Sequence, residues 1–193
     1  MKMRKVALFM HTSLDGFVQG PDKWDINWIS YDQDLVEFGD EVVSLTGSPV
    51  YGRVTYEGMK GYWPTVIDNP DSSKHDIEHA TWLENATKVV VSNSMEKADW
   101  NNTILINDNV VEEITKLKQM PGKDLVIFGS PMLSHYFMQH DLIDEFWLTV
   151  SPIVLGDGIP LFKDIKARMK LNLLETRSLK SGVVTLKYKV IKE

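Results

Sequence analysis

Apolar positions alternate between short continuous runs and helical spacing, and this alternation predicts the elements. Residues 6–10 form an apolar run that reads as a strand, ending in the turn Ser13-Leu14-Asp15-Gly16. Leu35, Phe38, Val42 and Leu45 recur at helical spacing and leave Glu37, Asp40 and Glu41 to solvent, which predicts an amphipathic helix beginning at Asp32 or Asp34 and ending near Leu45. Pro49-Val50-Tyr51 reads as a brief strand broken at Gly52-Arg53, followed by a short helix over residues 54–59. Residues 61–84 show no such period. With Pro64, Pro70 and a polar run at 69–74 they read as a long surface excursion, not a linker, because strands resume at once. Lys88 to Val91 is a strand rich in valine that ends in Ser92-Asn93-Ser94, and residues 104–106 form another. Val110, Ile114 and Leu117 then line one face of a helix capped by Asp108-Asn109 and ending near Gln119.

The pattern is richest over residues 124–162. A buried strand (125–128) breaks at Gly129, a helix runs from Pro131 to about Gln139, and a second strand covers 143–151. Ser130 suits the N-cap, and Pro131 suits the first helical position, where its missing N–H had no partner to lose. A strand ending in glycine before a helix N-terminus lets a phosphate meet free N–H groups and the positive end of the dipole; an ordinary strand-to-helix turn looks the same. The unit recurs at Gly52-Arg53, with Thr55 two residues on. At the end of the chain, Val184, Leu186, Tyr188 and Val190 alternate with Thr185, Lys187 and Lys189, as in an antiparallel strand with one wet face. Together these elements predict one α/β domain over residues 1–193, in three layers, with a mostly parallel central sheet and antiparallel C-terminal strands. Ligands of such sheets bind outside the carboxyl ends of the strands, where Gly52-Arg53, Ser92-Asn93 and Gly129-Ser130 all fall.

Charge and composition narrow the partners. A net charge of −6 without any basic run argues against nucleic acid or an anionic membrane. Cysteine is absent from the sequence, which excludes disulfides and thiolate chemistry and fits a cytoplasmic protein. Polar His11, Thr12 and Ser13 interrupt the first apolar run too early for a signal peptide, and no stretch approaches transmembrane length. On a helix His75 and His79 would share a face as metal ligands do, but a third ligand is not evident, so no metal is expected. Trp24 and Trp28 in the loop 19–30 either lid a ligand or cap the core edge. A lone His11 at a strand end reads as a satisfied polar residue, and Asp15 as a turn residue.

Ser13-Leu14-Asp15-Gly16, Gly52-Arg53-Val54-Thr55-Tyr56-Glu57, Val90-Val91-Ser92, Leu142-Ile143-Asp144-Glu145, the run Pro152 through Gly158 and Leu161-Phe162 occur in an order that resembles the dihydrofolate reductase superfamily. The branch it is most similar to is the reductase domain of the bifunctional riboflavin-biosynthesis deaminase/reductase. The resemblance implies a dihydrofolate reductase-like fold and NADPH as cofactor, with NADH not excluded. By the same resemblance Gly52, Arg53 and Thr55 hold phosphates, and Ser92 and Asn93 border the adenosine. Gly129 and Ser130, with Met132 and Leu133 beside them, meet the pyrophosphate, although serine stands where that family has further glycine. Arg53 alternatively forms a surface ion pair. Asp34 is the implied proton donor, with Asp32 and Glu37 competing, and Trp24, Trp28 and Phe38 are placed at the substrate. The implied activity is hydride transfer to a small heteroaromatic or carbonyl compound related to pterins, pyrimidines or flavins, by a homodimer. The cysteine- and histidine-bearing zinc motif of a deaminase is not present in the sequence, so the bifunctional enzyme is not expected. The rival readings are a non-catalytic nucleotide- or small-ligand-binding protein on the same fold and, further behind, a metal hydrolase built on His75 and His79.

Overall fold

In the computed structural model, which describes residues 3–192, the first strand, β1 (Val6–Thr12), lies in the middle of the sheet. Val6, Leu8 and Met10 enter one core cluster and Ala7 and Phe9 another, because parallel neighbours on both sides leave neither face to water. The chain continues through β2 (Phe17–Gln19), α1 (Gln33–Leu45), β3 (Thr46–Gly52), α2 (Arg53–Ile67), α3 (Lys74–Asn85), β4 (Lys88–Val91) and β5 (Thr103–Ile106). It completes with α4 (Val110–Gln119), β6 (Asp124–Phe128), α5 (Pro131–Gln139), β7 (Glu145–Val150), β8 (Ile159–Pro160), β9 (Leu171–Ser178) and β10 (Val184–Val190). Eight strands form one sheet in the order β5-β4-β3-β6-β1-β7-β10-β9, and β2 pairs with β8 apart from it. From β5 to β7 every pairing is parallel; β10 runs antiparallel to both β7 and β9.

Helices cover both faces, which makes the three layers expected from the sequence. Ile114 and Leu117 of α4 and Leu133 and Phe137 of α5 cluster with Leu8, Leu125 and Ile127. On the other side Phe38 and Val42 of α1 join Ala7, Phe9, Val126 and Trp147. Tyr56 of α2 and Leu83 of α3 extend that layer over Tyr51 and Val90.

Residues 61–84 depart from the expected surface excursion. α2 runs on through Pro64, which sits in its last turn, and α3 occupies most of the remainder. α3 is held by aromatic packing: the ring of His79 lies 4.4 Å from Trp63 and 5.4 Å from Trp82, centroid to centroid, a pattern without the aliphatic period. Its start is nevertheless written in Ser73-Lys74-His75-Asp76, where Ser73 Oγ accepts the Asp76 N–H at 3.1 Å and donates to its carboxylate at 2.8 Å. Its end rests on the wholly buried Lys88, whose Nζ donates to the carbonyls of Leu83 (2.6 Å) and Ala86 (3.0 Å). Two smaller expectations also change. Leu45 is exposed at the end of α1. Lys187 of β10 is covered, with Nζ 5.3 Å from the Phe38 ring and paired at 3.2 Å with Glu175, because α1 lies over that face.

Candidate functional site

After β3 the chain moves to β4 on one side of the sheet, whereas after β6 it moves to β7 on the other. Since β3 and β6 are neighbours, their carboxyl ends diverge into a crevice, the position where open α/β sheets take ligands. A cavity of about 1350 Å³ opens there. Its lining extends from β5 to β1, four inter-strand steps or about 19 Å.

Gly52, Arg53 and Thr55 line the cavity from the end of β3 and the first turn of α2, and Ser92 and Asn93 from the end of β4. Gly129, Ser130, Met132 and Leu133 reach it from the turn after β6. The Gly52 N–H donates to Ser130 Oγ at 3.1 Å, tying the two glycine turns together. The Ser130 hydroxyl therefore makes no cap for its own helix, contrary to expectation. Gly129 (φ +60°) and Ser130 (φ +54°) are consecutively left-handed; for serine this costs on the order of 1–2 kcal/mol. α4 likewise starts at a left-handed Asn109 without a side-chain cap, in place of the expected Asp108-Asn109 cap, and α2 starts at Gly52 without one. By contrast, Asp32 caps α1 and Ser73 caps α3, and the first turns of both lie outside the lining. The three helices whose N-terminal N–H groups lack a side-chain partner are thus the three that open on the cavity. Arg53 lines it while its Nη1 stands 3.2 Å from both carboxylate oxygens of Glu57 on the exposed side, so the two readings of Arg53 coexist.

Over β1 the lining comes from the strand end and the loop after β2. Trp24 is in it, in a left-handed conformation (φ +63°), with its indole against α2 at Gly58, where a Cβ would come within 3.0 Å of the ring. Trp28 and Phe38 are outside the lining, which corrects their assignment to the substrate pocket. The Trp28 Nε1–H donates to the Asp25 carbonyl within its own loop, and Phe38 is core packing behind Phe9. Asp34 also requires correction. Its carboxylate accepts the Lys180 N–H at 3.2 Å and faces the β9–β10 turn, away from the cavity. The competing acids do no better, since Asp32 caps α1 and Glu37 accepts from Gln33 at 3.1 Å.

His11, expected to be a satisfied polar residue, lines the cavity, as does Tyr31, which no sequence pattern singles out. His11 Nδ1 lies 2.7 Å from Thr149 Oγ1, and burial lowers its pKa to about 4, leaving a neutral imidazole at neutral pH. Its position at the same sheet edge as Gly52, Ser92 and Gly129 was the available signal. Asp15 does more than shape its turn. It accepts from the Ser13 hydroxyl at 2.7 Å and from the N–H groups of Leu155 (3.1 Å) and Gly156 (2.8 Å), which hold its pKa near 2 and pin the segment after β7 to the end of β1. His75 and His79 both lie on α3, where a surface excursion was expected; His75 Nε2 pairs with Asp40 at 2.9 Å and His79 packs between tryptophans. Among the described residues no three His, Asp or Glu side chains gather as a metal site. Nor is any described helix long and apolar enough to cross a membrane.

The family model of the RibD C-terminal domain matches residues 4–185. The uncharacterized protein YyaP of Bacillus subtilis (strain 168) is 35% identical over 192 residues, covering 97% of this chain and 96% of YyaP. Among solved structures, a protein of Shewanella sp. PV-4 described as a riboflavin biosynthesis protein superposes with a TM-score of 0.76 at 20% identity, covering 97% of this chain and 99% of that one. Dihydrofolate reductase from Enterococcus faecalis, complexed with NADP(H), gives a TM-score of 0.62 at 15% identity over 97% of each chain. At such identities the structural likeness is one of fold.

Proposed function

The chain belongs to the RibD C-terminal domain family, with a dihydrofolate reductase-like fold, and we propose that it is an NADPH-dependent reductase of a small heteroaromatic or carbonyl compound related to pterins, pyrimidines or flavins. The observation that carries this reading is the convergence of three helix N-termini without side-chain caps on one elongated cavity. Free N–H groups and positive dipole ends at the starts of α2 and α5 suit the pyrophosphate, and Arg53 adds a fork of donors for phosphate oxygens. Ser92 and Asn93 lie where the adenosine would extend over β4, and Asn107 continues that edge from β5. The nicotinamide, when bound, supplies the hydride. The residues at the β1 end orient the acceptor ring, and Trp24 excludes water from it.

A non-catalytic ligand-binding protein is the second reading, and the displacement of Asp34 from the cavity favours it. A homodimer belongs to the first reading. It is supported by exposed Leu173 and Leu174 on edge strand β9 and by exposed Val154 and Phe162 in the segment after β7.

Calorimetric titration with NADPH and NADH, on the wild type and on Arg53→Ala, tests the cofactor site. NADPH binding is expected to weaken about ten-fold in the variant, the loss of a charge-assisted contact. Absence of binding by either nucleotide refutes the reductase reading. Binding without oxidation by any pterin, pyrimidine or flavin supports the second.

A further inference from the structure

With phosphates at the starts of α2 and α5, the space over β1 is left for the reacting ring, and its chemistry is unusual for a site that would grip a charged molecule. Phe9, Met10, Ile29, Trp24 and Tyr31 form most of its wall. Among the described residues the carboxylates of the lining are Asp108 and Glu112, both beyond β5 at the opposite end of the cavity. Its lysine and arginine residues are Lys23, exposed in the loop, and Arg53 at the start of α2. A cationic ring placed over β1 would lose its hydration without meeting a carboxylate, and a phosphorylated one would have Lys23 alone.

His11 is a polar group built into this end from β1, beside the Tyr31 phenol and Gln19, whose amide donates to the Asp22 carbonyl at 3.1 Å. The His11 ring packs edge-to-face against Phe9 (centroids 5.0 Å, 71°) and Tyr31 (5.7 Å, 76°), which fixes its plane. Nδ1 is occupied by the hydroxyl of the wholly buried Thr149, while Nε2 has no hydrogen-bond partner among the described residues. When Thr149 donates to Nδ1, Nε2 carries the proton and offers one donor without a charge.

We propose that His11 is a substrate-binding residue that donates from Nε2, and that the substrate it selects is a flat, uncharged ring bearing a carbonyl acceptor, such as a dione, in preference to a cationic or phosphorylated compound. The proposal rests on the reductase reading above for the orientation of the cavity. It names the side chain that distinguishes among the substrate classes that reading leaves open.

Two probes sharing one ring system test it on the full chain: lumazine, an uncharged pteridine dione, and 2,4-diaminopteridine, whose protonated form seeks a carboxylate. Fluorescence titration, with and without saturating NADPH, is expected to give about ten-fold tighter binding of lumazine. His11→Ala is expected to lose about ten-fold for lumazine and little for diaminopteridine. His11→Gln, which restores an N–H donor, is expected to recover most of the loss, and this recovery separates a lost contact from a disturbed fold. Tighter binding of diaminopteridine, equal lumazine binding by wild type and His11→Ala, or binding of neither probe overturns the proposal. NADPH affinity is read separately by nicotinamide fluorescence. If NADPH fails to bind, the reductase reading falls alone, because the probe comparison is then decided on the cofactor-free chain.

Discussion

His11 and His79 show how a single side chain's surroundings set its chemistry. Both imidazoles have their pKa lowered from 6.5 to about 4, in each case chiefly by burial. The unfolded chain takes up these protons near pH 6.5, whereas the folded chain resists them until about pH 4. Their contribution to stability is therefore complete above pH 6.5 and is lost as the pH falls towards 4. His75 has the opposite sign: its bond to Asp40 raises its pKa, so its contribution is present in acid and lost as the pH rises. His79→Phe keeps a ring between Trp63 and Trp82 and removes the titration. Its melting temperature is expected to fall less than that of the wild type between pH 6.5 and 4, and parallel profiles would refute the assigned cause. None of these environments was legible beforehand, since residue type alone does not say which neighbours the fold will supply.

At the level of the element, α2 combines a helix with an insertion point for another segment. Gly58 interrupts a helix that alanine would favour by about 1 kcal/mol, and the space it leaves is where the Trp24 indole rests. Gly58→Leu is expected to keep the fold, because the position is exposed, and to push Trp24 off the helix. The variant should show an altered tryptophan emission spectrum and several-fold weaker NADPH binding, with little change in melting temperature. Unchanged affinity would mean that Trp24 has no part in closing the cavity. The parallel strands of the large sheet and the amphipathic α1 were legible because their apolar periods are regular, whereas the short β2–β8 pair was not; α3 was missed because Ala80 and Leu83 alone are its buried aliphatic residues and the aromatic rings that complete its packing carry no aliphatic period. Its capping signature at Ser73 and Asp76 was the local signal that went unused.

Over the whole molecule, the sheet leaves β9 as an edge, with Leu173 and Leu174 about half exposed. The proposed homodimer predicts a mass of two chains by light scattering, falling to one chain in the double variant Leu173→Glu, Leu174→Lys; a monomeric wild type would remove the idea. The sequence by itself determined the alternation of strands and helices, and it also placed the glycine turns after β3 and β6 and the polar end of β4 at the carboxyl edge of a parallel sheet. Apolar period and turn chemistry are local properties, and these features depend on little else. Tertiary structure decided which side chains share the cavity. Strand order joins the turns after β3 and β6 through the Gly52–Ser130 bond. The β9–β10 turn draws Asp34 away from the cavity, and packing between Phe9 and Tyr31 holds His11 in it. Those outcomes depend on partners far away in the chain, and a local pattern carries no information about them.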